Sequence, residues 1–218
     1  MADSDTRLRI KEIYRSIQGE STFAGWPCTF VRTAGCDIRC TYCDEPHAFQ
    51  GGDRMSIEDV LARVRELGLE LVEVTGGEPL LQRELPALCL ALLDDGRRVL
   101  VETGGHRDIS SLDPRVHVIL DIKTPGSGMS AHNDPHNLER LAGRGEVKFV
   151  LGDEQDYRWA RDRIQEQQLD RRFPVHLSPV HQQLDPREVA AWLLRDGLRV
   201  RLNVQLHKYI WGPDAKQV

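Results

Sequence analysis

The chain has 218 residues, 40% of them hydrophobic and 29% charged, which is the composition of a globular protein with one sizeable core. Its formal net charge is −5 with both signs interspersed, so we expect no cationic face for a nucleic acid. No apolar run approaches the roughly 20 residues of a membrane span, and the start MADSDTRLRIKEI is too polar for a secretory signal, which predicts a cytoplasmic protein without a membrane partner.

Strand and helix patterns alternate along the first half of the chain. Residues 28–34 predict a strand because they are rich in β-branched and aromatic side chains. Residues 56–68 predict a helix that Ser56 caps at its start and Gly68 ends. The same criteria predict strands at 69–75, 97–103 and 116–123, and helices near 84–94 and 134–142.

The alternation continues in the second half of the chain. A strand at 146–152 leads into a long helix that starts at Asp153. A strand at 173–179 leads into a helix capped by Asp185, with Pro186 at its first position. A strand at 199–205 closes the series.

Seven predicted strands alternating with five or six helices are typical of a mostly parallel α/β sheet built from right-handed βαβ units. Such a sheet is either open or curled into a barrel, and a complete (β/α)8 barrel takes about 250 residues. With 218 residues, a long cysteine-containing loop included, the chain predicts one domain over residues 1–218 with an incomplete barrel.

Gly-rich or charged segments follow the first four predicted strands. A cysteine loop follows the first strand, TGGEP (75–79) the second, ETGG (102–105) the third and DIKTPGSG (121–128) the fourth. Ligands of parallel α/β proteins bind beyond the carboxyl ends of the strands. The four segments therefore predict one shared site.

The cysteine loop GCDIRCTYCDE places Cys36, Cys40 and Cys43 in a C-x3-C-x2-C spacing. Three thiolates hold three irons of a [4Fe–4S] cluster, which normally takes four cysteines, and leave one iron open. Zinc held by the three cysteines and a residue such as His47 is the alternative, followed by unliganded thiols. A disulfide leaves an odd thiol in a reducing compartment. Cys28 and Cys89 lie among apolar residues and are interpreted as buried small hydrophobes.

Together with Tyr42 and the TGGEP segment, this triplet resembles the radical S-adenosylmethionine (SAM) enzymes. A narrower resemblance, to the 7-carboxy-7-deazaguanine synthase family, extends over essentially the whole chain. It rests on YRSIQGE (14–20), FVRTAGC (30–36), CDE (43–45), TGGEPLLQ (75–82), VETGG (101–105) and QLHKYIWG (205–212).

The resemblance implies a single-domain incomplete, distorted (β/α) TIM-like barrel with mostly parallel strands. It implies conversion of 6-carboxy-5,6,7,8-tetrahydropterin into 7-carboxy-7-deazaguanine with loss of ammonia, the step toward queuosine and other 7-deazapurines. The implied cofactors are a [4Fe–4S] cluster, SAM and Mg2+. The implied partners are an electron donor, such as flavodoxin or ferredoxin, and a second copy of the chain in a homodimer.

The resemblance also assigns roles to individual residues. The three cysteines of the triplet hold the cluster. The residues expected near SAM are Tyr42, Gly76, Gly77, Glu78, Thr103, Asp121 and Lys123. The residues expected near the pterin are Ile17, Gln18, Gly19, Glu20, Arg32, Thr75, Gln205 and His207.

Simpler interpretations of these residues stay open. TGGEP alone is an ordinary strand-to-helix turn, Asp121 and Lys123 can pair with each other, and a lone His207 is usually structural. Arg32 suits bidentate binding of a carboxylate, although a strand arginine often has no ligand.

The chain departs from the family pattern at three places. The family commonly has Thr or Ser after Cys-Asp, and its hydroxyl is expected to bind Mg2+, whereas this chain has Glu45, an equally hard oxygen ligand. Ser21 replaces the usual glycine after QGE, which makes that turn less permissive. The end PDAKQV extends beyond shorter relatives, whose terminal carboxylate closes the site.

Three other functions remain as alternatives. An activase of a glycyl-radical enzyme shares the cysteine triplet and the SAM chemistry but acts on a protein. A zinc-binding structural module is the non-enzyme alternative. An iron–sulfur electron carrier leaves TGGEP and Arg32 without a role.

Overall fold

The computed structural model describes residues 7–218, which form nine strands in one sheet. The strands are β1 (Arg7–Ile17), β2 (Pro27–Thr33), β3 (Asp53–Ser56), β4 (Leu71–Gly76), β5 (Arg98–Thr103), β6 (His117–Asp121), β7 (Gly145–Leu151), β8 (Val175–Pro179) and β9 (Arg201–Leu202). The α-helices are α1 (Ile57–Leu67), α2 (Leu85–Asp94), α3 (Asn137–Leu141), α4 (Glu154–Glu166), α5 (Leu169–Arg172), α6 (Pro186–Asp196) and α7 (Leu206–Trp211). Within residues 7–218, none of the helices is both long and apolar enough to cross a membrane.

The strand order is β3-β1-β2-β4-β5-β6-β7-β8-β9. The seven strands from β2 to β9 in this order pair in parallel, while β1 pairs antiparallel with both β2 and β3. The sheet is open, with β3 at one edge and β9 at the other. This architecture confirms the predicted α/β fold with an incomplete barrel and mostly parallel strands.

Local signals place the helices of the βαβ units. Ser56 caps α1 in a capping box with Asp59, and Gly68 ends it in the left-handed conformation at φ 73°. Asp153 accepts a hydrogen bond from Asp156 N at the start of α4, and Asp185 caps α6. These boundaries confirm the predictions made from capping residues.

The edges of the sheet differ from the predictions. Of the strand predicted at 199–205, only the two residues of β9 form a strand. Of the helix predicted near 134–142, only the five residues of α3 are helical. The predictions missed β1, β3 and α7. In β1, charged side chains are spread over the sequence RLRIKEIYRSI, so it lacks the apolar run that identifies a buried strand. The seven predicted strands therefore match only the parallel part of the sheet.

The inner face of the sheet changes character along the strands. Near their amino ends, Cys28, Leu71, Leu100 and Ile119 pack with Phe23 in a small apolar cluster. Since side chains alternate between the faces of a strand, Glu73 and Glu102 follow two residues later on the same face as Leu71 and Leu100. The larger core lies between the other face and the helices. On β4 and β5, the inward polar side chains thus lie toward the carboxyl ends of the strands.

Candidate active site

A cavity of about 640 Å³ opens at the carboxyl ends of the strands. The cysteine loop, the strand ends, the segment after β1 and the C-terminal segment line it. Its lining includes every residue predicted for the site except Glu78: Cys36, Cys40, Cys43, Tyr42, Glu45, Gly76, Gly77, Thr103, Asp121, Lys123, Ile17, Gln18, Gly19, Glu20, Arg32, Thr75, Gln205 and His207. Residues from both ends of the chain therefore meet in one shared site.

The cysteine loop is held in place from two sides. Arg39 donates hydrogen bonds to the carbonyl oxygens of Cys36 (2.8 Å) and Ile38 (2.7 Å). Thr41 donates through its hydroxyl to the carbonyl of Gly126 (2.7 Å), and through its backbone to Ser127 (3.1 Å). The loop is thereby fixed with its three thiols at the cavity wall.

The donor chemistry of the three thiols fits an iron–sulfur cluster. Cys36, Cys40 and Cys43 are half-buried free thiols that line the cavity, so a cluster inside the cavity can reach all three. In residues 7–218, no three Cys, His, Asp or Glu side chains converge in a way that could hold a single metal ion. In a [4Fe–4S] cluster each cysteine binds a separate iron, so three thiols at one wall supply three of its four ligands.

The other two cysteines lie in apolar surroundings away from this cavity. Cys28 and Cys89 are fully buried, as predicted. Burial raises the pKa of the Cys89 thiol to about 12, which disfavours the thiolate that binds metals.

The two glycines of TGGEP bring the strand β4 against the start of the cysteine loop. Gly77 N donates to Thr33 O (3.3 Å), and Glu78 N donates to Gly35 O (2.8 Å). A Cβ atom on Gly77 would lie 2.8 Å from the Cβ of Cys36, and one on Gly76 would lie 2.8 Å from Thr33 N. The close backbone approach that these glycines permit is therefore with the cysteine loop itself.

Glu78 lies behind the cavity wall rather than in its lining, and its expected place near SAM stays a prediction. Its buried carboxylate accepts hydrogen bonds from Thr103 Oγ1 (2.8 Å), Gly104 N (2.9 Å) and Leu80 N (3.0 Å). Burial raises the pKa of Glu78, and these hydrogen bonds oppose that shift. Glu78 thus joins the ends of β4 and β5 and positions Thr103, which does line the cavity.

Asp121 and Lys123 form an ion pair of 2.7 Å at the end of β6. Burial alone would lower the pKa of Lys123, but Asp121 raises it, so the ammonium is retained. The second oxygen of Asp121 is buried without a hydrogen-bond partner, and so is the hydroxyl of Ser178 on β8. Both residues line the cavity and leave polar atoms for a ligand that carries hydroxyl or amino groups, such as SAM.

Tyr42 spans the cavity toward β7. Its hydroxyl lies 3.4 Å from both Thr124 Oγ1 and the carbonyl of Val150. Burial raises the pKa of Tyr42 to about 12, so its hydroxyl stays protonated. The Tyr42 ring therefore contributes an apolar face beside Cys43. Its hydroxyl is already engaged by Thr124 and Val150.

The predicted pterin segment after β1 is held by three other elements. Gln18 Nε2 donates to the buried carboxylate of Glu73 on β4. Gly19 O accepts from Leu206 N (2.9 Å) at the start of α7, and Glu20 lies 3.3 Å from Lys148 Nζ on β7. The segment is thus an ordered wall of the cavity.

His207 is packed directly against Gly19, where a side chain would overlap its ring. Burial and the neighbouring Lys208 lower the pKa of His207, which favours the neutral imidazole. Gln205 and Lys208 both donate to Asp44 of the cysteine loop, at 2.9 and 2.7 Å. The start of α7 therefore links the pterin segment to the cysteine loop across the cavity.

Three charged residues inside the barrel were missed by the sequence predictions: Glu73, Glu102 and Lys148. Lys148 is buried and its ammonium contacts the carboxylates of Glu102 and Glu20. Burial alone would lower the pKa of Lys148, but Glu102 and Glu20 raise it well above its usual range. Burial raises the pKa of Glu73, which favours its protonated form. A charged residue at an inward position of an otherwise apolar strand is the signal that identifies them.

Arg32 and Glu45 form an ion pair at the opposite wall of the cavity. Arg32 Nε lies 2.8 Å from Glu12, and its Nη2 lies 3.2 Å from both Tyr14 OH and Glu45. The second oxygen of Glu45 lies 2.9 Å from His47 Nδ1. Arg32 is thus oriented by protein partners at the place expected for the substrate carboxylate.

The C-terminal segment reaches the same wall. Gln217 Nε2 donates to Glu12 Oε2 (3.0 Å), and the Ser16 hydroxyl donates to a main-chain carboxylate oxygen of Val218. Pro213 and Ala215 also line the cavity. The residues after α7 therefore cover part of the cavity mouth.

Gly77→Ala is expected to abolish cluster incorporation, because its methyl group would displace the backbone that carries Cys36. The measurement is iron and sulfide content with the visible absorption spectrum after anaerobic reconstitution. Cys89→Ala is the matched control, since this buried thiol lies outside the cavity. A Gly77→Ala protein with a full complement of iron contradicts this account of the turn.

Comparisons with known proteins agree with this geometry. The profile of the Radical SAM superfamily matches residues 30–125. A protein from Chlorobaculum tepidum named 7-carboxy-7-deazaguanine synthase is 47% identical, over 99% of this chain and 99% of its own. A protein of the same name from Koribacter versatilis is 41% identical, over 97% of this chain and 100% of its own.

Solved structures show the same fold. A crystal structure of QueE from Escherichia coli superposes with a TM-score of 0.76 at 24% identity, covering 92% of this chain and 95% of that one. Streptococcus suis SuiB bound to the precursor peptide SuiA gives a TM-score of 0.57 at 14% identity, over 80% of this chain and 47% of that one. Because full-length relatives share up to 47% of its residues, the chain belongs to the 7-carboxy-7-deazaguanine synthase family of radical SAM enzymes.

Proposed function

We propose that this chain converts 6-carboxy-5,6,7,8-tetrahydropterin into 7-carboxy-7-deazaguanine with release of ammonia. The observation that carries the proposal is the single cavity in which the cysteine triplet faces Arg32 and the Gln18–Glu20 segment. Relatives named for this activity cover the whole chain. The reaction makes the enzyme a carbon–nitrogen lyase in the biosynthesis of queuosine and other 7-deazapurines.

Membership of the radical SAM superfamily implies a [4Fe–4S] cluster and SAM. When bound, these groups supply the radical chemistry, and the protein supplies binding, orientation and exclusion of water. We assign the cluster to Cys36, Cys40 and Cys43. We assign the polar groups of SAM to Asp121 and Thr103, since Asp121 keeps a buried oxygen free of protein partners.

The opposite wall suits the pterin. A flat ring with polar edges needs donors and acceptors at its rim, and we assign this part to the segment Ile17–Gly19 and the side chain of Glu20, which line the cavity. The substrate carboxylate needs a cation, and Arg32 provides a planar guanidinium that Glu12 and Tyr14 hold in place. Thr75, Gln205 and His207 complete this wall.

We propose that Glu45 would hold Mg2+ near the substrate carboxylate. Mg2+ commonly takes one or two protein carboxylates, with waters and substrate oxygens completing an octahedron. Glu45 lines the cavity beside Arg32, which is the place where such a bridging ion fits. With the ion bound, the Glu45 carboxylate would exchange its contacts with Arg32 and His47 for the metal.

The remaining partners follow from the family resemblance. We propose that the chain acts in the cytoplasm as a homodimer and receives its electron from a carrier such as flavodoxin or ferredoxin. The activase alternative requires a protein substrate. The partial cover of the cavity mouth by residues 213–218 favours a small substrate instead.

Turnover is the direct test of the reaction. Anaerobically reconstituted protein incubated with SAM, reductant and 6-carboxytetrahydropterin is expected to form 7-carboxy-7-deazaguanine and ammonia, both detected by mass spectrometry and an ammonia assay. Cys40→Ala is expected to be inactive, and Cys28→Ala to keep the activity. Cleavage of SAM without any deazaguanine product contradicts the proposal and favours the activase.

Replacement of Glu45 tests the proposed metal ligand. Glu45→Ala is expected to weaken the dependence of the rate on Mg2+, because the ion loses its protein carboxylate. Glu45→Thr restores the hydroxyl usual in the family and is expected to keep a Mg2+ dependence with a shifted midpoint. Identical Mg2+ titration curves for the wild type and Glu45→Ala show that Glu45 is no ligand and serves only as the partner of Arg32.

A further inference from the structure

Glu146 is a buried carboxylate inside the barrel that does not line the active-site cavity. It lies on β7 two residues before Lys148, so both side chains project from the same face of the strand. Its carboxylate accepts a hydrogen bond from His176 Nε2 on β8 at 2.9 Å. His117 Nε2 on β6 lies 3.6 Å away, slightly beyond hydrogen-bond distance.

The third partner of Glu146 is the backbone N–H of Thr22, which lies 3.2 and 3.1 Å from its two oxygens. Burial alone would raise the pKa of Glu146, but the two histidines hold it well below its usual range. The carboxylate is therefore ionised, and its bond to Thr22 N–H is charge-assisted, which makes it about twice as strong as a neutral hydrogen bond.

Thr22 belongs to the loop of residues 18–26, which also carries the predicted pterin segment. Two backbone hydrogen bonds close this loop at its base, from Gln18 N to Trp26 O and from Gly25 N to Gln18 O, both 2.8 Å long. Phe23 follows Thr22 and packs edge-on against the His117 ring at a centroid distance of 5.1 Å. The tip of the loop is thus inserted into the amino end of the barrel.

The same loop contains an unfavourable backbone conformation. Ser21 has φ 64°, which lies in the left-handed region that favours glycine. Glycine is the residue that the family resemblance leads us to expect at this position. Its hydroxyl accepts a hydrogen bond from Phe23 N (3.1 Å), which offsets part of the cost. The neighbouring Thr22 N–H is the group that Glu146 holds, so the interaction acts at the strained turn.

Strand β7 therefore contacts the loop of residues 18–26 through two successive inward side chains. Glu146 holds Thr22 N–H, and Lys148 contacts the carboxylate of Glu20. Because both contacts restrain the loop, Gln18 and Glu20 have little freedom to move relative to the cavity.

We propose that Glu146, braced by His176, is a positioning residue for the pterin, which acts by fixing the loop of residues 18–26. The role rests on the proposed function, because it gives Gln18 and Glu20 the orientation in which they meet the substrate ring. Glu146 itself touches neither substrate nor cofactor.

Kinetics of Glu146→Ala test this role. The KM for 6-carboxytetrahydropterin is expected to rise roughly tenfold, which corresponds to about 1.4 kcal/mol. The KM for SAM and kcat at saturating pterin are expected to stay at wild-type values, and more SAM is cleaved per deazaguanine formed. Glu146→Gln keeps a side-chain oxygen for Thr22 N–H and is expected to recover most of the pterin affinity.

Hydrogen exchange provides a readout that does not depend on turnover. In Glu146→Ala, the amides of residues 19–26 are expected to exchange faster than in the wild type. Tyr157→Phe is the matched control, since it removes buried hydrogen bonds to Trp192 O and Asp196 (both 2.9 Å) far from the loop. It is expected to lower stability without changing the pterin KM or the exchange of the loop.

Two outcomes overturn the inference. One is a folded Glu146→Ala protein with a full cluster, an unchanged pterin KM and unchanged exchange in residues 19–26. The other is an equal change in Tyr157→Phe, which shows a general effect of stability. If the wild type itself forms no deazaguanine, the proposed function fails, and the exchange of the loop still decides whether Glu146 holds it.

Discussion

The site depends on one backbone contact, between the end of β4 and the first residues of the cysteine loop. Glu78 N donates to Gly35 O, and the absence of a side chain on Gly77 lets the two segments touch. The Glu78 side chain extends the same contact to Thr103 at the end of β5. The ends of three strands are thereby held together, so that Cys36, which we assign to the cluster, has a fixed place relative to the residues expected near SAM.

The inner face of the barrel provides the second half of the site. Its apolar amino end accepts Phe23, while its carboxyl end carries the charges of Glu102 and Lys148. Buried charges are stable only when paired, and each of these is paired with another strand or with the loop after β1. The ion pairs that neutralise the buried charges therefore also orient the wall that we assign to the pterin.

Sequence patterns predicted the parallel strands, the capped helices and the cysteine triplet because each has a local signal, such as Ser56 and Gly68 at the ends of α1. They failed for β1, which carries many charged side chains and is placed by the backbone pairing of the strand with β2 and β3. Lys148 was missed because its importance arises from contacts with Glu20 and Glu102, which are distant in the sequence. The hydrogen bonds of Glu78 with Thr103 and Gly104 were not predicted, because these residues are distant in the sequence, and its expected place near SAM stays a prediction.

A crystal structure of the anaerobically reconstituted protein with SAM and 6-carboxytetrahydropterin tests the central claim most directly. The account predicts a [4Fe–4S] cluster on Cys36, Cys40 and Cys43, with both small molecules in the one cavity and the pterin carboxylate on Arg32. A cluster on other ligands, or a pterin bound outside the cavity, would contradict it.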